Sequence, residues 1–466
     1  MDLNGLVDGY RDDIIRSTQE IIRIKSVEEE PREGMPFGKG PNDALVYYLE
    51  LAREMGFAAK NVDGYAGHVE YGEGDEIIGV LVHLDIVPEG EGWTYPPYSG
   101  HINDNRIYGR GTVDDKGPAI SVLYGLKAIK DAGIKPGKRI RIIAGLDEES
   151  GWECMEHYFK HEEKPVAGFS PDAEFPIINS EKGILIFKMR KTFDRDKKGT
   201  GFIKSITGGN RPNMVPDRCE ALLETSGMLT PDRIRDSLES FTKKTGYSME
   251  FSQSNGEVLI KSFGVSAHGS TPEKGQNAIS QMLGFLSELA VGDSDAESFI
   301  RFMAEKIGME YYGESMGVGF EDEVSGKLIF NLGEIKLDGS EGELVINIRY
   351  PIMYNREQVI GGLEKTLEGT GIEITDVSDK KPLYVPEDNF MVRKLKEVYK
   401  EITGEEATLI SIGGGTYART IDNAVAFGPL FPGQPELAHQ KDEYIDIDDL
   451  MTITKIYAKA MYLLAE

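Results

Sequence analysis

Cysteine is almost missing from this chain: Cys154 and Cys219 are the two in 466 residues. Two isolated thiols build neither a disulfide framework nor a thiolate metal site. They read as small, reduced, buried residues of a cytoplasmic protein. Long hydrophobic runs are missing too. No segment approaches the ~18 apolar residues that a membrane span needs. The polar start, Met1-Asp-Leu-Asn-Gly, has neither the basic nor the apolar stretch of a signal peptide. Basic residues are few beside acidic ones, 52 Lys and Arg against 79 Asp and Glu, giving a net charge of −27. A surface this acidic argues against nucleic acid and against an anionic membrane as partner. Its plainest use is solubility.

At 466 residues the chain exceeds a typical single core, so two domains are expected. Residues 1–184 alternate helix and strand patterns. A helical period covers residues 5–23, a second helix covers 42–55, and a third runs from Gly117 to Ala132 before Gly133. The apolar runs Ile77–Leu84, Arg139–Gly145 and Ile184–Met189 read as buried strands. This alternation predicts an α/β layer with a largely parallel sheet flanked by helices. Residues 185–384 read as an inserted α+β domain. Strands with period-2 patterns (Glu257–Gly264, Lys327–Ile335, Glu343–Tyr350) alternate there with helices that open at Thr230-Pro231 and at Asn355. The α/β character returns over 385–466, with helices at 388–402 and 447–464 and strands at Ala407–Ile412 and Ala424–Phe427.

Five small clusters carry the chemistry. His83-Leu-Asp85 ends an apolar strand, where α/β sheets place ligands. Residues two apart on a strand face the same way, so His83 can ligate a metal while Asp85 orients its ring. Gly109-Arg-Gly-Thr-Val-Asp114-Asp115-Lys116-Gly117 enters a helix, and its acids taken alone read equally well as helix caps. Asp147-Glu148-Glu149 follows a strand, where three acids repel one another unless a cation or protons compensate. Asp172 and His439 are weak signals singly and complete a ligand set. Imidazole and carboxylate ligands without cysteine suit Zn²⁺, Mn²⁺ or Co²⁺ in a catalytic site.

In order, His83-Leu-Asp85, Gly111-Thr-Val-Asp114-Asp-Lys116-Gly117, Glu148-Glu149, Asp172 and His439 resemble the metallopeptidase family of aminoacylases, carboxypeptidases and succinyl-diaminopimelate desuccinylase. Within it the chain looks most like the peptidase V-like dipeptidases. Ser170-Pro-Asp-Ala-Glu-Phe-Pro176, Gly413-Gly-Gly-Thr-Tyr-Ala-Arg419 and the long insertion carry that likeness.

The resemblance implies a discontinuous catalytic domain (1–184 and 385–466) and a lid domain (185–384). It implies two divalent ions, Zn²⁺ foremost, with Asp114 bridging, His83 and Asp172 completing one ion and Glu149 and His439 the other. Asp85 would orient His83, and the Asp114–Asp115 peptide would be cis. Glu148 would activate a water held between the ions to cleave a dipeptide with a free N-terminus. Asn213, His268 and Arg349 of the lid, with backbone N–H groups of Gly414 and Gly415, would contact substrate. The resemblance further implies a monomer. Two other functions remain open on the sequence: an N-acyl amino acid deacylase using the same site, and a non-catalytic peptide- or metal-binding protein on the same scaffold.

Overall fold

Strand Ile77–His83 is apolar up to its final histidine and buried at every position, the mark of a strand covered on both faces. A computed structural model, describing residues 2–194, 202–225, 227, 229–289 and 294–466, places it at the centre of a sheet. The strand order runs Ala58–Val62, Ala66–Tyr71, Arg139–Gly145, Ile77–His83, Ala167–Ser170, Ala424–Ala426, Ile177–Glu181. The pairings at the centre are parallel. Those toward the edges, Ala58–Val62 with Ala66–Tyr71 and Ala424–Ala426 with Ile177–Glu181, are antiparallel. The chain is thus α/β with a sheet that is parallel where it is most buried.

Two compact units make up the chain. The first holds Met1–Ser180, Tyr384–Ser411 and Gly415–Glu466; the second holds Glu181–Leu383 and Ile412–Gly414. In the first, helices Lys116–Asp131 and Ile447–Ala465 lie side by side and bury most of their residues. Gly125 permits the approach: a Cβ there would come within 3.0 Å of the Ala458 nitrogen and the Met461 Cε. Phe169 of the sheet stacks on Tyr457 of the last helix, with ring centroids 5.6 Å apart.

The helix expected over residues 5–23 is two, Leu3–Gly9 and Arg11–Ile22, interrupted at Tyr10. Asp2 caps the first by accepting from Gly5 N (2.8 Å), and Tyr10 at the break donates its hydroxyl to Asp131 (2.7 Å). A periodic apolar pattern survives such a break, so periodicity alone does not locate it.

The second unit is built on an antiparallel sheet. Its order runs Ser248–Ser254, Glu257–Phe263, Arg218–Glu224, Ile203–Gly208, Ile329–Asp338, Glu341–Tyr350, Gly183–Thr192, Glu373–Lys380. The apolar run Ile184–Met189 therefore belongs here, not to the parallel layer the sequence suggested. Its burial alternates along the strand, as expected where one face meets the core and the other does not. Leu185, Phe187 and Met189 join Leu344, Ile346 and Ile348 in one apolar core with helices of the unit. Helix Pro231–Thr245 is capped by Thr230, whose hydroxyl accepts from Arg233 N (3.3 Å). Helix Arg356–Leu367 opens on a reciprocal pair: Asn355 Oδ1 accepts from Gln358 N (2.9 Å), and Gln358 Oε1 from Asn355 N (3.0 Å).

Candidate metal and catalytic site

The register of the parallel strands builds the site. His83 pairs with Gly145 across the sheet, so the turns that follow both strands leave the same edge. Strand Ala167–Ser170 ends at that edge too and hands on to Asp172. The loop preceding helix Lys116–Asp131 brings in Asp114, and a loop before the last helix brings in His439. All of these residues belong to the first unit.

They gather as two trios sharing one member: His83, Asp114 and Asp172, then Asp114, Glu149 and His439. His83 Nε2 lies 2.8 Å from Asp114 Oδ1 and 3.6 Å from Asp172 Oδ1. On the other side, His439 Nε2 is 3.0 Å from Asp114 Oδ2 and 3.0 Å from Glu149 Oε1. The two oxygens of Asp114 thus face different histidines. The Asp114–Asp115 peptide is cis. His439 sits in the left-handed region at φ 64°, uncommon for a residue with a side chain and frequent at functional sites.

Around the trios, other groups fix orientation. His83 Nδ1 lies 3.1 Å from the Asp85 carbonyl and 3.4 Å from its Oδ1. Asp85 Oδ2 accepts from Glu149 N (3.1 Å), so Asp85 touches both a histidine of one trio and the backbone of the other. Asp115, without a role from sequence, accepts from His83 N through Oδ2 (3.1 Å). Asp147, likewise unassigned, takes the first N–H groups of helix Glu153–His161, from Glu153 (2.8 Å) and Cys154 (3.1 Å). Its work is to cap that helix.

Three contributors went unread in the sequence. Glu443 is fully buried, and its Oε1 accepts from Gly111 N (3.0 Å) and Val113 N (2.9 Å). Its Oε2 meets Arg110 Nη1 at 2.7 Å, so a buried ion pair holds the loop that carries Asp114. Trp152 donates its indole N–H to the Glu148 carbonyl (2.8 Å). Arg110 lies inside the glycine-rich motif and was open to notice; nothing in the local sequence marks Glu443.

Electrostatically the site is overloaded with carboxylates. Burial, reinforced by the charge of Asp172, pushes Glu148 well above the usual range, although it keeps some solvent-facing area. Burial and the Asp114 charge push Glu149 up to about 7, against the pull of His439. Burial raises Asp172 to about 6, with His83 opposing it. Burial also works on Asp114, yet hydrogen bonds from His439 and His83 hold its carboxyl well below the carboxylate range. Partial desolvation disfavours the proton on His439, about half of whose side chain still meets solvent, but Asp114 and Glu149 raise the imidazole to about 11. Carboxylates this close need protons or cations to coexist. Two trios, each of one imidazole and two carboxylates, fit a pair of divalent ions of the Zn²⁺, Mn²⁺ or Co²⁺ kind.

The remaining sequence-predicted residues lie mostly in the second unit. Asn213 and His268 come together there: Gly269 N donates to the Asn213 carbonyl (2.7 Å), and Met214 bridges His268 as in a sheet. Both side chains are exposed, and His268 Nδ1 lies 2.6 Å from Ser270 Oγ. Asn331 steadies this turn by donating to the carbonyls of Pro212 and Met214, each at 2.9 Å. Across the sheet Asn331 pairs with Asn347, whose Oδ1 accepts from Arg349 Nε (2.9 Å). Arg349 also reaches the Gly413 carbonyl (3.1 Å) and is buried. Gly414 and Gly415 lie in the loop between strand Leu409–Ile412 and the short helix Tyr417–Thr420, the former in the second unit and the latter in the first.

Comparison with known proteins follows the same lines. A model described as Peptidase family M20/M25/M40 matches residues 79–463. A Bacillus subtilis protein named "Putative dipeptidase YtjP" is 44% identical over 463 residues, 98% of each chain. Among solved structures, aminopeptidase PepT from Bacillus cereus aligns over 98% of this chain and 99% of its own, with TM-score 0.59 and 15% identity. The di-peptidase Dug1p from Saccharomyces cerevisiae aligns over 99% and 98%, with TM-score 0.58 and 14% identity. At those identities the two structures speak for the fold.

Proposed function

The chain belongs to peptidase family M20/M25/M40, and on that premise we propose that it is a dipeptidase working with two divalent metal ions, Zn²⁺ foremost. The observation that carries this reading is the pair of trios joined at Asp114, with the half-buried carboxyl of Glu148 beside them. The name of the Bacillus subtilis relative supports the choice of dipeptides.

His83, Asp114 and Asp172 would hold one ion, and Asp114, Glu149 and His439 the other. When bound, such a pair lowers the pKa of a water and polarises the scissile carbonyl. Glu148 takes the water's proton and returns it to the leaving amine, as one carboxyl acting first as base and then as acid. Asp85 fixes the His83 ring, so that Nε2 points into the site. His268 donates a hydrogen bond to the carbonyl oxygen as charge develops on it. Asn213, Arg349 and the N–H groups of Gly414 and Gly415 bind the rest of the dipeptide, Arg349 taking its carboxylate. These last roles rest on the family resemblance and on the proximity of Asn213 to His268 within the second unit. The protein is read as a monomer acting in the cytoplasm.

A panel of free dipeptides and N-acetyl amino acids, each with added Zn²⁺ or Mn²⁺, tests this. Dipeptides should turn over at least tenfold faster, about 1.4 kcal/mol in transition-state stabilisation. Faster turnover of N-acetyl amino acids makes it a deacylase. No metal-stimulated hydrolysis of either, with no bound divalent ion, makes it a non-catalytic relative.

A further inference from the structure

Asp63, His157 and His161 lie outside the clusters described above, yet one ligand atom from each falls within 4.8 Å of the others. His157 and His161 stand four residues apart on helix Glu153–His161, hence on one face of it. Asp63 occupies the turn between strands Ala58–Val62 and Ala66–Tyr71, at φ 53°. Its Oδ2 is 2.9 Å from His157 Nε2.

The two rings are held rather than free. Tyr65 stacks on His157 with centroids 4.0 Å apart and planes 12° off parallel. The rings of His157 and His161 are 4.4 Å apart. His161 Nδ1 lies 2.9 Å from the His157 carbonyl. In the tautomer that donates there, Nε2 keeps its lone pair, the device by which proteins prepare an imidazole for a metal. Lys60, the nearby cation, is paired with Glu162, which lessens its repulsion of a second positive charge.

An Asp–His pair alone would be an ordinary surface contact, worth little. The second imidazole changes the chemistry. One nitrogen from each ring and one Asp63 oxygen then lie within 4.8 Å of one another, close enough to share a single ion. Two imidazoles and a carboxylate, with water filling the remaining positions, are a ligand set for a divalent transition metal.

We infer that Asp63, His157 and His161 form a separate surface site for one divalent transition-metal ion, of the Zn²⁺, Ni²⁺ or Cu²⁺ class. The ion clips the C-terminal end of helix Glu153–His161 to the turn at Asp63. That helix begins directly after the Asp147–Trp152 loop, so the ion stabilises the helix whose start is tied to Asp147 and to the Glu148 carbonyl. The site shares no residue with the trios, and its failure leaves the dipeptidase reading untouched.

Equilibrium dialysis against micromolar Zn²⁺, followed by metal analysis, tests this on wild type, the double variant H157Q/H161Q and D63N. Asparagine tolerates the left-handed backbone at position 63, so D63N removes charge without strain. Wild type should hold one more ion per chain than the double variant, and D63N should lose that same ion. Zn²⁺ should raise the thermal midpoint of wild type further than that of either variant, since binding to the folded state alone stabilises it. Equal metal content in wild type and the double variant overturns the site. Should circular dichroism show the double variant unfolded, the comparison with D63N decides, and equal content there overturns it.

Discussion

Arg110 and Glu443 form an ion pair at 2.7 Å with both side chains almost wholly buried, 2% and 0% exposed. The free oxygen of the pair receives the N–H groups of Gly111 and Val113, the residues leading to Asp114. A charge pair at that depth costs much to bury and more to break.

Removing one partner should therefore be costly. Arg110→Met leaves the Glu443 carboxylate buried without its cation and should lower stability by about 3–5 kcal/mol. Adding Glu443→Leu removes the stranded charge and should recover part of that loss. Urea unfolding of both variants checks this. Hydrolysis should stay depressed in the double variant, because the loop before Asp114 has lost its acceptor. Full activity in the double variant would show the pair to be dispensable to the site.

Glu148→Ala should retain the metal content of wild type and lose turnover by about 10²–10⁴-fold, the usual worth of a general acid–base group. Metal analysis alongside kcat separates this from a ligand defect. Normal metal with full turnover refutes the proton role. Glu149→Ala should behave differently, losing metal together with activity.

Chelation is expected to act on stability as well as on rate. Without cations, Glu149 and Asp172 coexist with Asp114 and Glu148 only by taking up protons, as their raised carboxyls indicate. Dialysis against a chelator near neutral pH should abolish hydrolysis and lower the thermal midpoint, and added Zn²⁺ or Mn²⁺ should restore both. An unchanged midpoint would mean that these acids tolerate one another unaided.

His68 sets a pH dependence away from the site. Its Nδ1 is 2.9 Å from the Tyr158 hydroxyl in the core of the first unit. Burial, together with the charge of Arg141, draws its imidazole down to about 4. The folded chain thus binds this proton less readily than the unfolded chain, whose histidines titrate near ~6.5. The stabilisation from a neutral His68 is fully present above about pH 6.5 and fades as pH falls toward about 4, with about 2 kcal/mol gone by about pH 5. Urea midpoints of wild type and His68→Gln at about pH 7 and about pH 5 measure it. The variant should show the flatter slope, and matching slopes would sink the assignment.

Much of the fold was legible because apolar runs and caps are local signals. Strand Arg139–Gly145 and the cap at Asn355 sit at their expected places. The run Ile184–Met189 was misplaced because an apolar strand does not announce which sheet it joins; pairing with Glu341–Tyr350 decides that. Tyr10 hid the break in the first helix, since its neighbours keep the period on either side. The trios were foreseeable as a group through the family resemblance, His83 closing a strand and Asp114 standing just before a helix, whereas His439 lies in a loop with no local signal. Glu443 was not, because its partners at Arg110, Gly111 and Val113 lie more than 300 positions away in the chain.

The sharing of Asp114 between the two trios also sets an order in time. His83, Asp114 and Asp172 are all synthesised in the first part of the chain, whereas His439 emerges only when little beyond the final helix remains to be made. A ribosome-bound chain can carry every member of the first trio and still lack one of the second. Loss of the C-terminal stretch from His439 onward would take with that histidine the helix Ile447–Ala465, which packs on Lys116–Asp131 and stacks Tyr457 on Phe169, so one trio and a layer of the core would go together.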